Sequence, residues 1–225
     1  MSIPEDDPVE APPALGFASR KDRLTKRFGG AWGTSSQDFL MLVDMLYAAS
    51  KRYADGGDGN FSPYTLAGVP TLLAAFRCLL IEVNDGVLTD LVSREDALAS
   101  LAKSRNEISF LEDWYTIPAE LLADLRLLQE VRNEIVHPSH RPGPEADNTP
   151  TYLRSLKDRG LLQSTGKEAD YIWIGQLQSH RLFRWAWQQL DEAVNIVLRE
   201  HGAVAHLAGR GFGATWSQYS VIDAS

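Results

Sequence analysis

Leu121–Pro138 reads LLADLRLLQEVRNEIVHP, and its periodicity sets the fold class. Leu121, Leu125, Leu128, Arg132 and Ile135 recur at intervals of 4, 3, 4 and 3, the spacing of one stripe along an amphipathic helix. An arginine thus falls in an otherwise apolar face. Pro138 closes the helix, because the residue before a proline is biased away from the helical region. His137 is therefore expected at the helix end, where a side chain can face a cleft rather than a core. That helix end is the candidate working site.

The same period recurs on either side. Upstream, Ser35-Ser36-Gln37-Asp38 is a near match to a capping box. Phe39, Leu42, Val43, Leu46 and Tyr47 then carry helical spacing to about Ala54, where the run DGGDGN at 55–60 breaks it. Residues 63–84 read as a long helix bearing Leu72, Leu73, Phe76, Leu79, Leu80 and Val83, with Pro70 marking a kink or a late start. Residues 93–104 open on Ser93 and Asp96, another helix start. Residues 110–117 read as an aromatic connector containing Trp114 and Tyr115.

Downstream of His137 comes a loop of about a dozen residues, of the length that is functional or disordered. Residues 151–160 predict a short helix capped by Gly160, and 171–174 a short extended piece. Residues 176–201 predict the last long helix, with Leu182, Trp185, Ala186, Gln189, Ala193, Ile196 and Val197 on one side. No internal repeat is evident. The expected fold is an all-α bundle of about five helices. It divides into a disordered, basic segment at 1–35, a helical domain at 36–202 and a loose tail at 203–225.

Composition fits one domain. The chain has 225 residues, 44% of them hydrophobic, and six tryptophans, enough for a core. No apolar run reaches the roughly 18 residues of a membrane span. The acidic start, without a basic stretch leading into an apolar one, is not a secretory signal, so a cytoplasmic protein is expected. The single Cys78 lies in AAFRCLLIEV. It has no partner for an internal disulfide, and it reads as a core residue rather than a nucleophile, since apolar surroundings raise a thiol pKa. The formal charge of −8 argues against broad nonspecific coating of nucleic acid. A local basic cleft stays open. Arg20, Lys21, Arg23, Lys26 and Arg27 against Asp22 make residues 20–27 basic, which reads first as a solvated tail.

Arg132, Asn133 and His137 form an Arg-Asn-x3-His motif at the end of a late bundle helix, followed by proline and a loop. This motif, with two long apolar helices before it and a last helix after it, resembles the HEPN superfamily over roughly residues 36–200. The resemblance implies a compact bundle that dimerises, bringing two Arg/His motifs into one metal-independent, RNA-cleaving cleft. It also implies a toxin or defence effector, with an antitoxin or other regulatory protein as partner. Arg199…His206 repeats the looser spacing, but it lies where the last helix gives way to a glycine-rich tail.

The motif residues suit that chemistry. Cleavage of RNA by its own 2′-OH needs a base for the 2′-OH proton, a cation for the charge building on the phosphoryl oxygens, and an acid for the departing 5′-oxygen. Histidine, with an ordinary pKa of about 6.5, suits proton transfer. Arginine is always charged and forked like a phosphate. Asn133 can donate to phosphate or hold His137. Glu134 points about 200° away from Arg132 and reads as solvent-facing or capping. The bland alternative is that Arg132 caps a neighbouring helix or pairs with Glu82, and that His137 meets carbonyls at the helix C-terminus.

Other candidates are weaker. His140 and Arg141 follow on the loop and are candidate RNA contacts. His137, His140 and Asp147 match no closed ligand set, so no metal or other cofactor is expected. Trp185 and Trp187 beside Arg181 and Arg184 are either a base-stacking surface or core. Residues 209–213 (GRGFG) follow no strand and open no helix, so they are not a dinucleotide fingerprint. The alternative function is a non-catalytic dimeric module that binds a partner protein or nucleotide. A further one is a regulator whose 20–27 segment binds nucleic acid.

Overall fold

The computed structural model describes residues 35–56, 60–86, 96, 99–103, 107–138, 150–163 and 173–200. In chain order the helices are α1 (Ser35–Gly56), α2 (Thr65–Gly86), α3 (Glu107–Trp114), α4 (Ala119–Val136), α5 (Thr151–Asp158), α6 (Trp173–Gln176) and α7 (His180–Glu200). Residues 99–103 are helical as well, inside the span expected to be a helix. No strand occurs among the described residues, only an isolated bridge between Phe61 and Ser179. The protein is an all-α bundle, with more helical pieces than the periodicity suggests. The readings made on residues 1–34, 93–95, 139–149, 171–172 and 201–225 lie outside the described residues.

Two short segments differ from expectation. Residues 107–114 form helix α3 rather than a connector, burying Ile108, Phe110 and Leu111. Phe110 and Trp114, one turn apart, stack with centroids 6.0 Å apart, so the aromatic run is a helix face. The link to α4 is only residues 115–118. At 171–174 the expected extended piece is overturned at Trp173, which begins the single turn α6. A run this short carries too little periodicity to separate strand from turn.

Helices α2 and α7 pack on each other, and α1 and α4 each pack on both of them. The stripe Leu72, Leu73, Phe76, Leu79, Leu80 and Val83 of α2 is buried, as its spacing predicts. Pro70 lies inside α2. It has no N–H to donate to Leu66 one turn back, so one intrahelical bond is missing there. At Gly68 α2 and α7 approach closely, since a Cβ there would stand 2.2 Å from Cζ of Phe183. The helix of 151–160 ends as expected: Gly160 has φ +66, Gly160 N–H donates to the Lys157 carbonyl at 2.9 Å and Leu161 N–H to that of Leu156 at 3.0 Å. This left-handed termination satisfies carbonyls that the last turn leaves open.

The start of α7 is tied to the loop before α2. Ser179 caps the helix, its hydroxyl accepting from Leu182 N–H at 3.3 Å. Asn60 Oδ1 accepts from the Ser179 hydroxyl at 3.1 Å and from Arg181 N–H at 2.9 Å. The Asn60 carbonyl accepts from His180 N–H at 2.9 Å and Ser62 N–H donates to the Gln178 carbonyl at 2.8 Å. Thr65 Oγ1 donates to the Ser179 carbonyl at 2.9 Å. Amide groups that a helix start leaves unpaired are thus met by a residue far away in sequence.

Candidate functional site

Helix α4 buries Leu121, Leu125, Leu127, Leu128, Val131 and Glu134. Its inward arc is broader than the Leu121–Ile135 stripe and turned toward Leu127 and Val131, because α2, α3, α5 and α7 all pack on it. Arg132 consequently does not interrupt the core; it lies half-buried at the border of the arc, and Ile135 is half-buried as well. Glu134 corrects the sequence reading more sharply. It is buried, where a solvent-facing or capping carboxylate is the expectation. It lies two positions on from Arg132, about 200° around the helix, and with the arc turned this way that rotation carries it inward.

The last turn of α4 presents the motif outward. Asn133, Val136 and His137 are all exposed. His137 leaves helical geometry at φ −130, ψ 67, while its N–H still closes on the Asn133 carbonyl at 2.8 Å. The following proline enforces this exit by excluding the helical region at His137. Arg132 and His137, five residues apart, would diverge by about 140° on an ideal helix, and the structure brings neither side chain into a hydrogen bond with the other. Among the described residues, neither Arg132 nor His137 is held in an ion pair. The Glu82 side chain, the partner considered for Arg132, lies outside the described residues.

Asn133 is the hub of the polar contacts. Its Oδ1 accepts from Arg132 Nη1 at 3.1 Å and from Gln129 Nε2 at 3.4 Å. With the oxygen occupied by two donors from its own helix, the amide N–H2 of Asn133 is the group left to face outward. Gln129 is one turn before Asn133, an i,i+4 pair that spacing alone makes neighbours, and it lies outside the Arg-Asn-x3-His motif. Its Oε1 is buried without a hydrogen-bond partner among the described residues. Chemically, the helix end offers a half-buried forked cation, an exposed primary amide and an exposed imidazole within about a turn and a half.

The other candidates separate clearly. His140, Arg141 and Asp147 lie outside the described residues. Trp185 and Trp187 are both buried. The base-stacking alternative is thereby overturned in favour of core packing: Trp187 lies edge-on to Tyr47 at 5.4 Å, and Arg159, 2.6 Å from Asp124, covers Trp185 at 5.8 Å. Among the described residues no group of three His, Cys, Asp or Glu side chains is arranged to hold a metal ion, and no helix is long and apolar enough to cross a membrane. No family model, curated protein or solved structure matches the chain.

Proposed function

We propose that the chain is a metal-independent endoribonuclease of HEPN type whose site is the C-terminal end of α4. The observation that carries the reading is the exposed Asn133 bonded to the half-buried Arg132, with His137 exposed at the same helix end and Arg132 and His137 engaged in no ion pair among the described residues. Arg132 would bind the scissile phosphate and offset the charge that builds on its oxygens. His137 would move the proton, taking it from the 2′-OH or giving it to the 5′-oxygen. Asn133, its oxygen held by Arg132 and Gln129 of the same helix, would donate through Nδ2 to a phosphoryl oxygen. The 2′-oxygen forms its bond to phosphorus as the bond to the 5′-oxygen breaks, leaving a 2′,3′-cyclic phosphate and a 5′-hydroxyl.

One α4 end supplies a single imidazole, so a second group for the opposite proton transfer comes from another copy. A two-fold pairing of α4 ends would juxtapose Arg132 of one copy with His137 of the other. A role as toxin or defence effector, restrained by an antitoxin-like protein, follows from the same resemblance. The test is cleavage of RNA in EDTA by the wild-type protein, Arg132→Ala and His137→Ala. Either substitution is expected to lower the rate about 10²- to 10⁴-fold with unchanged helical content. Equal cleavage by all three refutes the site. Absence of cleavage by all three, together with capture of a partner protein, favours the non-catalytic module.

A further inference from the structure

Helix α1 carries two stripes. Ser36, Leu40, Val43, Tyr47, Ser50 and Ala54 are buried against the bundle. The second stripe runs two residues further on at each position, about 200° around the helix: Asp38, Leu42, Met45, Ala49 and Arg52. Asp38, Leu42, Met45 and Arg52 are exposed and Ala49 is half-buried, so the stripe opens to solvent and is apolar through its middle. Met45 is 67% exposed, Met41 51%, Leu42 45% and Phe39 37%. Four large apolar side chains within seven residues of one helix are more than the scattered exposure normal for a surface.

We propose that this stripe binds the same stripe of a second copy, antiparallel, about a two-fold axis through Met45. The sequence is self-complementary about that residue. Asp38 and Arg52 are equidistant from Met45, so in an antiparallel pair each Asp38 meets the partner copy's Arg52 at both ends of a contact about 21 Å long. Reversal also sets Met41 and Leu42 against the small Ala49 and Ala48, which lets large side chains interdigitate with small ones and the helix axes approach. Intervals of 4, 3, 4 and 3 from Asp38 to Arg52 are those of a two-helix seam. Arg52 is exposed, and its Nε donates to the Ala48 carbonyl at 3.3 Å within its own helix, a bond that does not use its terminal nitrogens. A parallel pairing would instead oppose Asp38 to Asp38 and Arg52 to Arg52.

This face is distinct from the motif. Helix α1 packs on α2 and α7, and α4 packs on the same two helices. The α1 contact uses a different helix from any pairing at the α4 ends, and it needs no RNA to be observed.

The test is sedimentation equilibrium of the full chain with single and paired substitutions, alongside circular dichroism. Met45→Asp is expected to weaken association at least tenfold and halve the assembled mass, with helical content unchanged because Met45 faces solvent. Asp38→Arg or Arg52→Asp alone is expected to weaken it, and the double swap to restore it. As a second readout, Met45→Cys is expected to oxidise to a covalent dimer by itself. Asp38→Cys is expected to crosslink only when mixed with Arg52→Cys protein. A wild-type chain that stays monomeric at high micromolar concentration overturns the proposal. So does an assembly indifferent to Met45→Asp, or crosslinking of Asp38→Cys to itself.

Discussion

Gly68 of α2 lies so close to the ring of Phe183 on α7 that a methyl group at residue 68 would overlap Cζ, at 2.2 Å. Phe183 is fully buried and cannot swing aside without displacing core neighbours. Gly68→Ala is therefore expected to cost about 2 kcal/mol, within the range of overpacked cores. In a double-mutant cycle with Phe183→Leu, part of that loss should return. Urea midpoints of the four proteins decide it; a neutral Gly68→Ala would mean that the two helices separate freely.

Val131 and Arg132 provide a test of the register of α4. The valine is buried and the arginine is at the border. Val131→Ala is expected to lower stability by about 2 kcal/mol. Arg132→Ala should stay within about 0.5 kcal/mol of wild type, as surface changes do. Opposite results in thermal unfolding would turn the helix by one residue.

Gln129 should matter to activity more than to folding. Without its amide, Asn133 Oδ1 keeps only Arg132 as donor, and the Asn133 side chain is free to turn. Gln129→Ala is expected to lower kcat about tenfold while KM stays near wild type, a loss of roughly 1.4 kcal/mol in the transition state. An unchanged kcat beside a dead Arg132→Ala would remove Gln129 from the site.

Asp44 gives a pH dependence with a definite sign. Its partial burial in α1 raises the carboxyl pKa above the ordinary 3.8. A carboxyl that holds its proton more tightly when folded favours folding at low pH, and that contribution is lost as pH rises through the folded pKa. Asp44→Asn should therefore be more stable than wild type at about pH 7, and the gap should close toward about pH 3. Urea titrations at the two pH values read the difference directly; a gap that widens on acidification would contradict it.

The fold class was legible because the long helices carry sustained 3.6-residue periodicity, and the stripe of α2 is buried residue for residue. The inward face of α1 was not. Phe39 and Leu42 have the spacing of core residues but point outward, while two serines, Ser36 and Ser50, are buried. A helix apolar on both faces offers two registers, and only its neighbours choose between them. In α4 the same ambiguity turned the inward arc from Arg132 toward Val131, and it carried Glu134 inside. The motif residues could be located because a proline fixes the helix end locally. Gln129 could have been found by asking which side chain lies one turn before Asn133. The pairing of Asn60 with Ser179 leaves no trace in either local sequence.

That pairing spans 119 residues, and it bears on the order of folding. Helices α1 and α2 are neighbours in sequence and can meet early. The first turn of α7 finds its acceptors only once a loop of this length has closed, at an entropic cost that rises with the logarithm of its size. The cap should accordingly be absent from the folding transition state. Asn60→Ala would then leave refolding nearly as fast as in the wild type and show itself in faster unfolding. Asn60 would then lengthen the lifetime of the assembled bundle more than it hastens assembly.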